Sequence, residues 1–318
     1  MAQQQLTPRI ALCLTLPPLL WAGNAVVGRL LVGTVPPMAL SAMRWAIALV
    51  LLLPFATKLW RRPQDLLGRW PYLALIGVLG VGTYNSLQYL ALQTSTPINV
   101  TLIASSAPLW MMGVGALLYR ERPAARHWLG ALLSLAGVML VLSRGDVTAL
   151  LGLKLVPGDL LMLLAAALWA LYSWMLARPP ASFRGDKRPD WGWAEMLLMQ
   201  VIFGGAWAAL GAGVEQAVNP AQIHWSPGVL WALGYVALGP SLIAYRCWGA
   251  GVATVGPAIA AFFSNLTPLF AALMSAALLG EPPRGYHVAA FALIAAGIVV
   301  SARQAKPSSV RSPQNVPG

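Results

Sequence analysis

The sequence predicts an all-α integral membrane protein with ten transmembrane helices arranged as two inverted five-helix repeats. Three observations carry that expectation. Of 318 residues, 58% are hydrophobic and 9% charged, with mean hydropathy +0.68, whereas a soluble domain carries about a quarter charged. The apolar residues gather in runs long enough to cross a bilayer. The later runs also repeat the earlier ones at a shift of 160 residues. This composition excludes a soluble globular enzyme and a disordered chain. The net charge of +12 does not indicate nucleic acid, because Lys and Arg lie between apolar runs instead of on one basic face.

A span needs about 20 mostly apolar residues. The first run is residues 10–32, preceded by the short polar stretch Met1–Pro8. It is too long for the h-region of a signal peptide and has no convincing small-residue cleavage site, so it is expected to stay as a span. Further runs cover 36–57, 70–92, 97–119 and 126–143, then 157–178, 192–213, 227–249, 254–279 and 285–302. They are apolar all round instead of alternating, which favours helices over barrel strands. The expected units are residues 8–145, the first repeat, and 155–303, the second. Residues 304–318, rich in Pro, Ser and Gln, are expected to form a disordered cytoplasmic tail.

Positive charge fixes the expected orientation. With the N-terminus in the cytoplasm, the inner segments hold Arg9; Lys58, Arg61, Arg62 and Arg69; Arg120, Arg122 and Arg126; Arg178, Arg184, Lys187 and Arg188; Arg246; and Arg303, Lys306 and Arg311. The outer segments hold only Arg29, Arg144, Lys154 and Arg284. Both termini are therefore expected in the cytoplasm, in a cell inner membrane.

The repeat is clearest between 97–140 and 257–300. Pro97, Pro108, Glu121, Pro123, His127 and Gly137 meet Pro257, Pro268, Glu281, Pro283, His287 and Gly297. Trp21-Ala22 also resembles Trp169-Ala170. Five spans per half is an odd number, so the second half would enter the membrane inverted. The stretches SSAPLWMMGVGALLYRERP, SNLTPLFAALMSAALLGEPP and LSAMRW resemble the EamA family of the drug/metabolite transporter superfamily. LWAGNAVVGR and GVGTYNSLQYLAL are most similar to its YddG-type amino-acid exporters. The resemblance implies ten helices, both tails inside, a central cavity and export of amino acids.

Candidate site residues follow from polarity at membrane depth. Pro108 and Pro268 lie midway along their spans and free carbonyls near Ser105, Ser106, Ser264 and Asn265. Such kinks either line a cavity or pack with their polar groups mutually satisfied. Trp21 and Asn24 share a helix face, as do Trp169, Tyr172 and Ser173. Both tryptophans sit near mid-membrane, where bulky packing and cavity lining are open alternatives. Tyr84, Asn85 and Gln88 in the third run and Tyr245 in the eighth complete the set. Arg44 is the one cation well inside a span. It either marks function or locks helices together. Glu121 and Glu281, at span ends, are expected to be structural or gating groups along with Arg44, Pro108 and Pro268.

No cofactor or metal site is expected. His127 and His287 fall near opposite membrane surfaces, and Cys13 and Cys247 read as small buried hydrophobes. A cavity of Asn, Gln, Ser, Tyr and Trp suits a small neutral or zwitterionic solute, amino acids above all, and suits a phosphate poorly. The expected partners are such a solute and the lipid bilayer, with no nucleic acid. An intramembrane enzyme would need a charged or nucleophilic constellation at depth, and none is present. A structural or sensory membrane protein is the remaining alternative, and efflux of drugs or other metabolites is the alternative within transport.

Overall fold

The computed structural model describes residues 6–95, 97–152, 154–278 and 284–303. Expectations for Glu281 and the 304–318 tail lie outside the described residues. Long helices follow one another: α1 (Pro8–Leu30), α2 (Pro37–Leu52), α3 (residues 70–94), α4 (Pro97–Ser105), α5 (Ala107–Tyr119), α6 (Ala125–Leu142), α7 (Pro157–Ala177), α8 (Trp193–Val218), α9 (Pro227–Val255), α10 (Pro257–Ser264), α11 (Leu266–Leu278) and α12 (Gly285–Ala302). No strand occurs among the described residues.

Eight of these helical stretches are long and apolar enough to cross a membrane, or nine if the bent pair Asn99–Ser105 and Ala107–Tyr119 counts as one span. The expected ten spans are thus met only in part. The run 70–94 falls short because Thr83, Tyr84, Asn85, Ser86, Gln88 and Gln93 dilute its apolar content. Its polar face is the reason to expect it against protein and not lipid.

Proline opens α1, α2, α4, α7, α9 and α10. At the first helical position its missing N–H costs nothing. Side-chain acceptors satisfy other helix starts. Asp159 accepts from Val156 N at 2.9 Å, and Glu195 from Gly192 N at 2.9 Å and Lys58 N at 3.2 Å. His127 Nδ1 accepts from Ala124 N at 3.2 Å, and His287 Nδ1 from Arg284 N at 3.0 Å.

Two features recur at the 160-residue shift. The π-helical turns Gly77–Thr83 in α3 and Ala237–Ile243 in α9 match residue for residue, as do the ends of α6 and α12. Helices α6 and α12 also cross antiparallel through small residues. A Cβ on Gly130 would lie 2.8 Å from Gly297 O, and one on Gly137 would lie 2.8 Å from Ala290 O. Only glycine allows backbones this close. Elsewhere α7 packs on α3 and α5, while α1 packs on α9 and α11. Arg246 falls inside α9, with its guanidinium 4.5 Å from the Trp193 ring at the start of α8.

Candidate functional site

Wide turns in α3 and α9 set the centre. A π turn spreads the backbone so that carbonyls lose their usual helical donors, and such turns concentrate at functional sites. The two middle carbonyls, Gly80 O and Pro240 O, are taken by rings. Tyr245 OH donates to the first at 2.6 Å, and Trp21 Nε1 to the second at 3.3 Å.

Tyr84, Asn85 and Tyr245, which follow these turns, help line a cavity of about 80 Å³. Of the expected residues, Trp21, Asn24, Tyr84, Asn85, Gln88, Ser105, Trp169, Tyr245, Ser264 and Pro268 line it, together with Thr101, Ala104 and Thr267. Buried Ser264 Oγ has no hydrogen-bond partner among the described residues. A hollow of about 680 Å³ opens elsewhere, lined by Met38, Trp207, Gly211 and Glu215. Its size is not a functional argument: the lining is mostly apolar side chains, and the Glu215 carboxylate is engaged by Met38 N at 3.0 Å and Ala39 N at 3.2 Å.

Trp169 is the hub of an aromatic cluster. Its ring lies 5.4 Å from Trp21, 4.8 Å from Tyr84, 5.0 Å from Tyr172, 5.7 Å from Tyr245 and 5.4 Å from Trp248. It is therefore both wall and packing. An alanine there removes the centre of the cluster, at a cost of about 3–5 kcal/mol. Transport and abundance would then fall together, so alanine is a poor probe of this residue.

Four expected binding residues do not line the cavity. Tyr172 OH donates to Gln200 Oε1 at 2.9 Å, behind the aromatic wall. Ser173 Oγ accepts from Trp248 Nε1 at 3.1 Å. Ser106 stays in the α4–α5 break, donating to Ile103 O at 2.6 Å and accepting from Trp110 Nε1 at 3.1 Å. Asn265 turns to Ser134 Oγ at 2.8 Å. Tyr172, Ser173 and Ser106 are satisfied by neighbours, whereas Asn265 Oδ1 is buried with no hydrogen-bond partner among the described residues. The bend across the first break is 42°. Pro108 is buried at the start of α5, off the cavity, and Glu121 pairs with Arg178 at half-exposed helix ends.

Arg44 is fully buried. It bonds to side chains, not to the helix-end carbonyls a purely locking role predicts. Its Nε donates to Ser241 Oγ at 2.9 Å, and Nη1 to Asn85 Oδ1 at 3.0 Å, Tyr89 OH at 2.8 Å and Asn24 Oδ1 at 3.3 Å. Arginine only donates, which fixes every neighbour. Asn85 must turn its oxygen to Arg44 and its nitrogen to Tyr245 OH, 3.0 Å away. That hydroxyl then donates onward to Gly80 O. Tyr89 OH passes its proton to Asn24 Oδ1 at 2.9 Å. Sequence reasoning missed Tyr89 and Ser241. Tyr89 was legible, standing four residues after Asn85 on one face. Ser241 had no signal, because the π turn rotates it.

A profile described as the EamA-like transporter family matches residues 9–143 and 156–303. An uncharacterized transporter of Archaeoglobus fulgidus is 25% identical over 91% of this chain and 96% of its own length. An aromatic amino acid exporter, YddG, of Ancylobacter novellus is 28% identical, covering 85% of this chain and 88% of its own. The uncharacterized inner membrane transporter YedA of Escherichia coli is 27% identical over 83% and 80%. A solved crystal structure superposes with a TM-score of 0.71 at 25% identity, over 92% of this chain and 96% of that one.

Proposed function

Because the chain belongs to the EamA-like transporter family, we propose that it exports amino acids by alternating access through the central cavity, using ten membrane-spanning helices in two inverted repeats of five. One observation carries the reading: residues at equivalent positions of the two halves meet each other at the centre. Asn85 touches Tyr245, its partner at the 160-residue shift, and Trp21 meets Trp169 edge to face. The glycine contacts of α6 and α12 are reciprocal at the same shift. Self-meeting positions are what a two-fold axis in the membrane plane produces, and rocking one half against the other would expose the site to each side in turn. The cavity of about 80 Å³ is smaller than an amino acid, which fits a closed stage of that cycle.

The likeness to the Ancylobacter aromatic amino acid exporter supports amino acids as cargo. The aromatic wall and neutral amides support a zwitterion over a phosphate. Among the described residues no Asp or Glu lines the cavity, which supports transport down the solute's own gradient without an obligatory proton. The sixteen-to-four excess of inner positive charge supports cytoplasmic termini.

Proteoliposomes test the reading. Counterflow of labelled amino acid at zero pH and voltage difference is expected. Accumulation against the amino-acid gradient driven by a pH difference alone would overturn the proton-free mechanism. A cytoplasm-only reporter fused after Ser301 is expected to be active, and activity of a periplasm-only reporter there would overturn the topology.

A further inference from the structure

We propose that Arg44 is a positioning residue that makes the cavity prefer solutes bearing a carboxylate, acting through Asn24 and Asn85; this rests on the carrier reading above and narrows its substrate class. A guanidinium stays charged in proteins. Burying it at membrane depth is costly, and such a charge normally has an identifiable counter-charge. Arg44 has none among the described residues. Its four hydrogen-bond acceptors are neutral, and neither ion pair found among the described residues includes it. Its Nη2 has no hydrogen-bond partner among the described residues, and the Trp45 ring lies 5.0 Å from the guanidinium. Five carboxylates are committed elsewhere: Asp159, Glu195 and Glu215 receive helix-start N–H groups, while Glu121 and Asp190 pair with Arg178 and Lys58.

The missing counter-charge has a place to sit. Asn24 and Asn85 bind Arg44 through their oxygens and also line the cavity. The cation is therefore one side chain behind the wall, in surroundings too apolar and dry to screen it. Both amides are polarised by it, which strengthens their N–H groups as donors to an anion. The same cavity is lined by the rings of Trp21, Tyr84 and Trp169, whose faces attract an ammonium group. Positive potential at the amides and π faces in one cavity match the two charged groups of an α-amino acid. They disfavour a simple organic cation.

The test is exchange by purified protein in proteoliposomes, using phenylalanine and phenylalaninamide, which differ in the carboxylate alone. Wild type is expected to favour the acid by about tenfold or more in half-saturating concentration, and Arg44→Gln to bring the two within about threefold. Arg44→Lys retains the charge and should retain the preference. Asn24→Asp keeps the arginine but sets a carboxylate where Oδ1 now lies 3.3 Å from Nη1. It should abolish the preference too, and it answers the question if Arg44→Gln does not fold. An unchanged preference in folded Arg44→Gln or in Asn24→Asp overturns the proposal. Equal exchange of acid and amide by wild type overturns it while leaving the carrier reading intact. Exchange of neither compound defeats both.

Discussion

The turns at 77–83 and 237–243 are built alike and used differently. Each is one π-helical stretch of equal length, and each offers its middle carbonyl to a ring from the other half of the chain. The first is rich in glycine, and neighbours press into it. A Cβ on Gly80 would lie 2.5 Å from the Tyr172 ring, and one on Gly77 would lie 2.6 Å from Gln200 O. It delivers Tyr84, Asn85 and Gln88 to the cavity. The second contains Pro240, supplies Ser241 to Arg44 and leads into Tyr245 and Trp248. The backbone plan is shared, but the chemistry is divided. One turn contributes amides, the other contributes ring surface and an anchor for the buried charge. On the proposed reading, recognition resides in what differs between the two regions.

The largest expected effect contrasts the two middle positions. Gly80→Val drives two methyl groups into Tyr172, whose own hydroxyl is tied to Gln200. Overpacking of this kind costs about 1–3 kcal/mol or more, and a marked loss of folded protein is expected on size-exclusion chromatography. Pro240→Ala removes no hydrogen-bond donor and leaves its carbonyl in place, so near-normal yield is expected. Equal damage at both sites would mean that the turns are used alike.

Next comes Ser241→Ala, which strips Arg44 Nε of its acceptor. Leaving a buried charged donor unpaired costs about 1–3 kcal/mol, read as reduced resistance to unfolding in mixed detergent micelles. A smaller loss is expected for Tyr245→Phe, which frees both Gly80 O and Asn85 Nδ2. Individual hydrogen bonds within membranes average about 0.6 kcal/mol. Trp21→Phe breaks one longer bond, to Pro240 O, and should cost less than Tyr245→Phe. The reverse order would show that the second turn, not the first, depends on its borrowed donor.

Much of this was legible in the sequence, for physical reasons that also mark where legibility stops. Span positions follow from transfer energetics, so run length located eight of the ten expected spans among the described residues, or nine with the bent pair. The repeat was visible because Pro, Glu, His and Gly are scarce enough here for coincidence to be informative. Depth along a helix located the cavity-lining Trp21, Asn24, Tyr84, Asn85, Gln88 and Ser264. Depth does not give angle, however, and a π turn shifts the angle of everything after it. Angle is why Ser173 and Tyr172 share an unbroken α-helix with Trp169 yet bond to groups away from the cavity, and the π turn is why Ser241 reaches Arg44. The kink polar groups Ser106 and Asn265, which bond to protein neighbours off the cavity, illustrate a second limit. Composition says that a buried hydroxyl or amide needs a partner, but not whether that partner is solute or protein.

The smallest effect sharpens the contrast most cleanly, because it concerns the same side chain in both turns. Ser86 follows the first turn as Ser241 sits in the second, and both are buried. Ser86 Oγ donates to Gly82 O at 2.7 Å, within its own helix, and lies 3.2 Å from Ser41 Oγ. Ser241 Oγ likewise donates back along its helix, to Val236 O at 2.7 Å. The difference is the third group: Ser241 also accepts from a cation, whereas Ser86 meets only another hydroxyl. Ser41 can turn its proton to a different acceptor once Ser86 is gone, and back-bonding to a preceding carbonyl contributes little to a helix. Ser86→Ala is therefore expected to change stability by about 0.5 kcal/mol or less, with exchange kinetics unaltered. If Ser86→Ala instead costs as much as Ser241→Ala, the penalty at 241 reflects a lost hydroxyl in a tight turn. It would then owe nothing to the charge on Arg44, and the asymmetry drawn between the two turns would be one of shape alone.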